Sequence, residues 1–308
     1  MGSIKSWFLK QGLVNLNIML LKGGVTEREV SLMSGQEVKD SLVRLGHKVL
    51  ELDISKSDLC STPIDNIDII FNCLHGGVGE NGIIQSVCIM KNIPYTGSDV
   101  LSSALAMNKV LAKKVFISEG INTPEGKISN IKNILDKDPF PRPYVIKPID
   151  GGSSLGVSII YKDTDLSTIK DSSSKLLIEP YVNGREIAVA VIKNKVLGMI
   201  EINYSNGFYD YNTKYKSDKN NYIKPDNLSI SLKNKLEQYA ISAHKALGCK
   251  GVTRSDFIVS DNLDQEPSLL EINTLPGLTK HSLVPKIAKN AGISFDDLIL
   301  MIIKDALN

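Results

Sequence analysis

The sequence of 308 residues predicts a protein that joins an open parallel α/β region to later antiparallel sheets of α+β type. Through about residue 107, short apolar runs alternate with amphipathic segments, which is the pattern of βαβ units. Further along, Glu186 begins an apolar segment that can pair with 196–202 across a short turn, which is typical of antiparallel strands. We therefore expect two kinds of sheet in one chain.

The N-terminal region contains three predicted strands, Asn17 to Leu21, Val49 to Leu52 and Ile67 to Leu74. The last is a near-continuous apolar run, as in strands that are buried on both faces of a parallel sheet. Glycine-rich turns follow the first and third strands and carry Glu27 and His75. Because loops at the carboxyl ends of parallel strands form the ligand crevice, both residues are candidates for a site. The alternatives are a solvated acid at a helix start and a turn histidine.

Composition excludes several classes of protein. The chain is 42% hydrophobic and 23% charged with a net charge of +2, so no basic field indicates a nucleic-acid partner. The four cysteines are scattered, and we expect reduced, buried thiols in a cytoplasmic protein. The run Leu298 to Ile303 is too short to cross a bilayer, so we expect no membrane partner. Residues 1–15 are interpreted as an extension or tag outside the fold.

The central region carries two lysines and a glycine-rich loop. Lys109 lies in the first turn of a predicted helix, where a cation opposes the helix dipole, and Lys147 lies near the end of the predicted strand 143–148. The loop IDGGSSLGV follows, and its backbone N–H groups can close over phosphates. The alternative for this loop is a plain β-hairpin with a flexible tip.

Two further segments suit a nucleotide site. Residues Glu179 to Val182 are acidic, then aromatic, then apolar, and such a connection between two lobes can bind a purine. The alternative is an ordinary strand end with a solvated acid. Residues 207–224 are polar, aromatic and rich in lysine, without sustained periodicity. Long loops of this kind in a compact domain are usually functional or disordered, and the aromatic content favours an active-site lid.

The C-terminal region pairs polar side chains along two predicted strands. Arg254 and Asp256, and likewise Glu271 and Asn273, are two residues apart and so share one face of a strand. Carboxylate and carboxamide oxygens are ligands that Mg²⁺ prefers, although Arg254 and Asp256 would also suit a surface ion pair. In the preceding helix, 232–247, His244 falls off the apolar face and is expected to be solvated.

The segment after Asn273 turns at Pro276 and Gly277 and reaches Ser282, a favourable helix N-cap. The N-terminus of the helix that follows is a ready anion site. The alternative is an ordinary strand–turn–helix with exposed polar residues.

Seven motifs occur in one order from about Asn17 to the C-terminus: GGVTEREVSL, HGGVGENG, PYTGS, VIKP with GGSSLGV, FYDYNTKY, GVTRSDF and LLEINTLPGLTKHSLVP. In these motifs and in their order, the chain resembles the D-alanine–D-alanine ligases of the ATP-grasp superfamily. The resemblance implies a first-substrate subdomain at 16–107, a central ATP-grasp subdomain at 108–190 and a C-terminal ATP-grasp subdomain at 191–308, with a lid at about 205–224.

The resemblance also implies a reaction. ATP would phosphorylate the carboxylate of one D-alanine, and the amine of a second D-alanine would attack the acyl phosphate to give the dipeptide for peptidoglycan synthesis. Two Mg²⁺ ions, or Mn²⁺, are implied as cofactors, as are the cytoplasm and a homodimer. The alternatives are another ATP-grasp carboxylate–amine ligase, or a non-catalytic relative that binds ATP.

Site residues follow from the same resemblance. The metal ligands would be Asp256, Glu271 and Asn273. ATP would contact Lys109, Lys147, Ser153, Ser154, Glu179, Tyr181, Val182, Glu186, Phe208, Lys214 and Leu270. The amino acids would contact Glu27, His75, Arg254, Gly277, Ser282 and Leu283. The catalytic group would comprise Glu27, Ser153, Lys214, Tyr215 and Arg254, with Glu27, Ser153 and Tyr215 linked across the lid.

Three positions bear on specificity within this resemblance. A tyrosine at the position of Tyr215 is associated with D-alanine as second substrate, and a phenylalanine with D-lactate, which favours the dipeptide here. Lys22 and Lys280 depart from the residue types that are usual beside the first and last motifs. Neither departure removes a functional group. Lys22 could, however, perturb the pocket for the first substrate.

Overall fold

The computed structural model describes residues 15–169, 175–203, 221–260 and 266–308. The predicted lid, with Phe208, Lys214 and Tyr215, lies outside the described residues except for its last four positions. Nearly all of the predicted N-terminal extension, 1–14, lies outside them as well.

Twelve strands occur in the described residues and are numbered in chain order. They are β1 Asn17–Lys22, β2 Lys48–Asp53, β3 Ile69–Asn72, β4 Lys127–Ser129, β5 Tyr144–Pro148, β6 Ser158–Ile160, β7 Leu176–Pro180, β8 Arg185–Ile192, β9 Lys195–Asn203, β10 Asn221–Ile223, β11 Val252–Val259 and β12 Ser268–Asn273.

Eight α-helices accompany them in the described part of the chain. They are α1 Arg28–Arg44, α2 Ile83–Met90, α3 Val100–Met107, α4 Lys109–Ser118, α5 Ile131–Asp136, α6 Ile230–Ala246, α7 Leu283–Asn290 and α8 Phe295–Ala306. Short 3₁₀ turns lie at Gly77–Gly79 and Leu166–Thr168.

The N-terminal sheet has the order β2-β1-β3 and is parallel throughout, as predicted. Each strand is followed by a loop or helix that leaves its carboxyl end at one edge. Glu27 immediately precedes α1, and His75 comes three residues after β3. Both therefore reach the edge where ligands bind in open parallel sheets.

The remaining strands form two antiparallel sheets, of order β4-β7-β5-β6 and β10-β9-β8-β11-β12. This confirms the predicted mixture of parallel and antiparallel sheets. The predicted division at residue 190 falls inside β8, which pairs along its length with β9 and β11. Because a strand belongs to the sheet it is bonded to, sheet membership divides the chain before Arg185.

One hydrophobic core joins the N-terminal parallel sheet to the five-stranded sheet. It packs Ile18 and Leu42 with Ile200, Val284 and Leu298. By contrast, the four-stranded sheet packs a separate small core of its own around Tyr144 and Ile178. The four-stranded sheet is thus packed more independently than the other two sheets, which share a core.

The apolar face of α6 is buried in a hydrophobic core, but His244 does not lie in solvent as predicted. The imidazole is 1% exposed, and its Nδ1 lies 2.8 Å from the hydroxyl of Thr253 on β11. The expectation of a solvated histidine is therefore wrong. Helical spacing placed the residue off the apolar stripe, but β11 covers that side of the helix as well, so a polar partner was needed there.

Three of the four cysteines, Cys73, Cys88 and Cys249, are buried free thiols, as expected, whereas Cys60 is exposed. Burial raises the pKa of the Cys88 and Cys249 thiols to about 12, which keeps them protonated. Among the described residues, no helix is long and apolar enough to cross a membrane.

Candidate active site

Two cavities adjoin between the three sheets and share Lys109, Gly151, Gly152 and Glu271 in their walls. The first, the polar cavity, is also lined by Glu27, His75, Ser153, Arg254, Asn273, Gly277, Ser282 and Leu283. The second, the inter-sheet cavity, is also lined by Lys147, Ser154, Glu179, Tyr181, Val182, Glu186, Asp256 and Leu270. All the predicted site residues that the structure describes therefore line one cavity or both.

Glu27 and Ser153 meet across the polar cavity, although they are 126 positions apart, because the Ser153 hydroxyl donates a hydrogen bond to the Glu27 carboxylate. Glu27 occupies the N-cap of α1 with φ 48° and makes no side-chain cap bond, so its carboxylate is turned to the cavity. Ser153 also has a positive φ, 52°. Left-handed backbone at two non-glycine residues in contact is the kind of local strain that clusters at functional sites. The third predicted member, Tyr215, lies outside the described residues.

Arg254 and Asp256 form a bidentate pair, with Nε and one terminal nitrogen each 2.8 Å from a carboxylate oxygen. Their side chains are 13% and 7% exposed, so the alternative of a surface ion pair does not hold. A planar guanidinium bonded at two points cannot rotate freely. Arg254 is thus held at the wall of the polar cavity, while Asp256 lines the inter-sheet cavity.

Strand pairing brings the three predicted metal ligands together. Asp256 on β11 lies directly opposite Glu271 on β12, and Arg254 lies opposite Asn273. The pairing shifts by one residue immediately after Asp256, so that Leu270 is the extra residue of a β-bulge. As a result Leu270 and Glu271 both line the inter-sheet cavity, whereas Leu269 is buried in the core. Strict alternation along β12 would not place Leu270 and Glu271 in one wall.

The donor set at this position is two carboxylates and one carboxamide. Such hard oxygen donors suit Mg²⁺, although in the described part of the chain no group of three His, Cys, Asp or Glu side chains is placed to hold a metal ion. The carboxylate of Glu271 also lies 3.6 Å from the ammonium of Lys109. Each carboxylate therefore has a cation beside it, Arg254 for Asp256 and Lys109 for Glu271.

Lys109 is the first residue of α4 and is 8% exposed. Its ammonium donates a hydrogen bond to the carbonyl of Gly151 in the glycine-rich loop. The lysine therefore ties the loop to the helix N-terminus and places a positive charge where the two cavities meet. A cation at a helix N-terminus is unfavourable because it opposes the helix dipole. The contacts of Lys109 with Gly151 and Glu271 offset that cost.

Lys147 binds the Glu179 carboxylate, and Lys113 binds the other oxygen of the same group. All three side chains are less than 10% exposed. Lys113 was missed from the sequence, although it lies one turn after Lys109 on α4, a spacing that puts both on one helix face. Glu179 thus lines the inter-sheet cavity with its carboxylate already bonded to two ammonium groups.

Gly277 and Ser282 lie against each other at the end of the polar cavity. A Cβ on Gly277 would come within 2.7 Å of the Ser282 hydroxyl, so only glycine fits without a shift. Ser282 is the N-cap of α7, as predicted, but its hydroxyl bonds to Thr279 rather than to the helix. Leu283, the first residue of α7, also lines the polar cavity, so the N-terminus of this helix lies at the cavity wall.

The two departures from the expected motifs, Lys22 and Lys280, line neither cavity. The ammonium of Lys22 bonds to Glu51, and its stem packs on Gly35 of α1. Lys280 is exposed. The expectation that Lys22 can perturb the first-substrate pocket is therefore not supported, since Lys22 lines neither cavity.

Comparison with known proteins gives two family models in chain order. The model described as D-ala D-ala ligase N-terminus matches residues 55–98, and the model described as D-ala D-ala ligase C-terminus matches residues 101–304. The chain belongs to the D-alanine–D-alanine ligase family.

Curated members of the ligase family are similar over almost their whole length. The D-alanine–D-alanine ligase of Pelagibacter ubique is 44% identical over 305 residues, which cover 94% of this chain and 97% of the relative. That of Rhizorhabdus wittichii is 40% identical over 303 residues, covering 95% and 97%.

Solved structures in the ligase family share the fold. The Bacillus anthracis D-alanine–D-alanine ligase complexed with ATP superposes with a TM-score of 0.80 at 34% identity, covering 95% of this chain and 97% of that one. The VanG D-Ala:D-Ser ligase of Enterococcus faecalis gives 0.78 at 27% identity, covering 94% and 99%. These neighbours confirm the ATP-grasp architecture that the sequence predicted.

Proposed function

We propose that the chain joins two D-alanines in an ADP-forming, ATP-dependent reaction that serves peptidoglycan precursor synthesis. The observation that carries this proposal is the junction of the two cavities at Lys109 and Glu271, where a nucleotide site would open onto an amino-acid site. Phosphoryl transfer needs the phosphate and the acceptor carboxylate at such a junction, held in line.

ATP would occupy the inter-sheet cavity. The purine would lie between the two antiparallel sheets, against Val182, Ile159, Ile258 and Leu270, with the backbone after Glu179 supplying polar contacts. The phosphates would extend toward Lys147 and Lys109 and beneath the loop of Ser153 and Ser154. Point charges on buried lysines suit this task because they neutralise phosphate without a fixed bidentate geometry.

Magnesium would be held by Asp256, Glu271 and Asn273. We propose two ions, the number that the family resemblance implies. The oxygen donors fit the metal, and their opposed strand positions support a shared site. When bound, the metal would neutralise charge on the transferring phosphoryl group. Arg254 would hold Asp256 in place and also reach the polar cavity.

The amino acids would occupy the polar cavity. Glu27 would bind the ammonium of the first D-alanine, and its bond from Ser153 would place that carboxylate under the loop. Arg254 and the Gly277 N–H would stabilise the oxyanion of the tetrahedral intermediate. The carboxylate of the second D-alanine would lie at Ser282 and Leu283, at the N-terminus of α7.

Phosphate release tests this proposal with ATP, Mg²⁺ and D-alanine, with D-serine or D-lactate offered as the competing second substrate. We expect release with D-alanine alone and a dipeptide product by mass spectrometry. Release only with a different amino-acid pair would show another ligase of the same fold. No release with any pair, together with ATP binding, would show a non-catalytic relative.

The predicted lid supplies a specificity test. Tyr215→Phe is expected to raise D-lactate use relative to D-alanine use by about tenfold or more, because a buried hydroxyl that expects a partner discriminates strongly. Tyr211→Phe, in the same segment, is the matched control. An unchanged ratio in Tyr215→Phe would show that this hydroxyl does not set specificity.

We also propose three subdomains, a homodimer and a cytoplasmic location for the working enzyme. The use of ATP and the buried, protonated thiols support the location. The family resemblance supports the dimer, which sedimentation velocity of the purified chain would test.

A further inference from the structure

Ser34 is buried on α1, 1% exposed, and joins three segments of the polar cavity. Its Oγ lies 3.2 Å from Nε2 of His75, in the loop after β3. The same Oγ accepts a hydrogen bond of 3.3 Å from the backbone N–H of Leu278, 244 positions further along the chain. One hydroxyl thus links helix α1, the His75 loop and the turn at Gly277.

The hydrogens of this cluster can be assigned. A backbone N–H can only donate, so the Leu278 bond uses an acceptor lone pair of Ser34. The hydroxyl proton then needs an acceptor, and Nε2 of His75 is the one that its hydrogen-bond partners offer. Nε2 must therefore carry a lone pair, and the proton of a neutral imidazole lies on Nδ1.

Glu80 agrees with that assignment from the other side of the ring. Its Oε1 lies 3.6 Å from Nδ1 of His75 and accepts a 2.9 Å hydrogen bond from the backbone N–H of Gly76. A carboxylate facing Nδ1 favours the proton at that nitrogen. The chain of contacts runs from Glu80 through His75 and Ser34 to the backbone of Leu278.

We propose that Ser34 is a positioning residue that fixes the Nδ1-protonated tautomer of His75 and holds the Gly277–Leu278 turn in the polar cavity. The role for the turn rests on the proposed function, in which the Gly277 N–H faces the oxyanion. Nε2 of His75 then uses its lone pair for the Ser34 hydroxyl, and Nδ1 carries its proton on the side of Glu80, so neither ring nitrogen offers a lone pair to an ammonium. The imidazole shapes the first-substrate site rather than binding the substrate ammonium through a ring nitrogen.

The tautomer is measured first, on the intact chain without substrate. Nitrogen-15 spectra of the imidazoles, assigned with His75→Gln, should show His75 neutral with its proton on Nδ1 at about pH 8. A proton on Nε2, or an imidazolium, would overturn the proposal. This readout does not depend on activity, so a chain that failed to ligate D-alanine would contradict the proposed function alone.

Removal of the hydroxyl is measured second. Ser34→Ala should speed exchange of the Leu278 amide at least about tenfold, because that N–H loses its acceptor. It should lower kcat about tenfold, with the KM for ATP changed less than about twofold.

Ser41→Ala is the matched control, since Ser41 is a buried serine of the same helix that bonds to Asp296, away from the cavity. It should leave kcat and the Leu278 amide unchanged. Equal effects of the two variants, or an unchanged Leu278 amide in Ser34→Ala, would show that Ser34 only stabilises α1.

Discussion

At the scale of single residues, charge placement distinguishes this site from an ordinary buried network. Lys113 and Lys147 share one carboxylate, that of Glu179, so the ionised cluster has one positive charge in excess. Burial lowers the pKa of Lys113, and Glu179 opposes that shift. A buried net charge is costly unless a partner neutralises it. The inter-sheet cavity beside Lys147 is where the phosphates of ATP would do so.

Lys113→Met tests the support that Lys113 gives to this arrangement. Glu179 would keep only Lys147 as its cationic partner, and Lys147 would be drawn toward Glu179 and away from the phosphates. We expect the KM for ATP to rise about tenfold, with a smaller change in kcat.

Lys114→Met is the matched control for that variant, because Lys114 is the next residue of α4 and is exposed. It should leave both quantities near the wild-type values. A Lys113→Met enzyme with wild-type KM for ATP would show that the pair serves stability alone.

At the scale of elements, local capping rules were reliable where the partner is nearby. Ser294 caps α8 by accepting a hydrogen bond from the Asp297 N–H and donating one to the Asp297 carboxylate, an arrangement close to a capping box. The polar side of α6 was not predicted, because β11 rather than solvent covers His244. When a helix is covered on two faces, a polar residue on the second face needs a hydrogen-bond partner. The hydrophobic periodicity of the helix does not show that this face is covered.

His244 gives α6 a pH-dependent contribution to stability. Burial lowers the pKa of its imidazole from 6.5 to about 4. Between these values the unfolded chain binds a proton that the folded chain does not, so stability falls as pH drops from 6.5 toward 4. The loss from this group is about 3 kcal/mol at about 1.4 kcal/mol per pH unit.

His244→Gln should remove most of the fall in unfolding free energy between pH 6.5 and 4. Denaturant unfolding at several pH values measures it. The variant is expected to be less stable than the wild type near neutral pH, and the gap should narrow toward pH 4. His281→Gln, at an exposed position, is the control and should leave the slope unchanged. A gap that is constant with pH would contradict the buried, neutral imidazole.

At the scale of the whole molecule, two of the three sheets are joined by a common hydrophobic core. The N-terminal sheet and the five-stranded sheet share one core, and Arg44 and Ser41 of α1 both bond to Asp296 at the start of α8. The four-stranded sheet keeps a separate core. Its Lys147 and Glu179 line the inter-sheet cavity together with Asp256 and Glu271 of the five-stranded sheet. A nucleotide bound there, as proposed, would bridge the two cores.

Hydrogen exchange tests this division. Without nucleotide, amides of β5 and β7 should open at lower free energy than those of β1, because they belong to a smaller core. A non-hydrolysable ATP analogue with Mg²⁺ should slow exchange in β5 and β7 more than in β1, because ligands stabilise the state they bind. Equal opening free energies without nucleotide would show that the two cores are one cooperative unit.

The residue pattern was sufficient for contacts that are short along the chain. The i, i+2 rule placed Arg254 with Asp256 and Glu271 with Asn273, because alternation along a strand is a local property. The parallel N-terminal sheet followed from alternating apolar runs and glycine turns. The family motifs then indicated which of these residues share a site.

Tertiary structure decided the contacts whose partners are far apart in the chain. Lys113 and Glu179 are separated by 66 positions and Ser34 and Leu278 by 244, so no local spacing signals either pair. The bulge at Leu270 and the burial of His244 depend likewise on a neighbouring strand. A buried polar group is satisfied by whichever group packing brings within hydrogen-bond distance, and that choice is made by the folded chain as a whole.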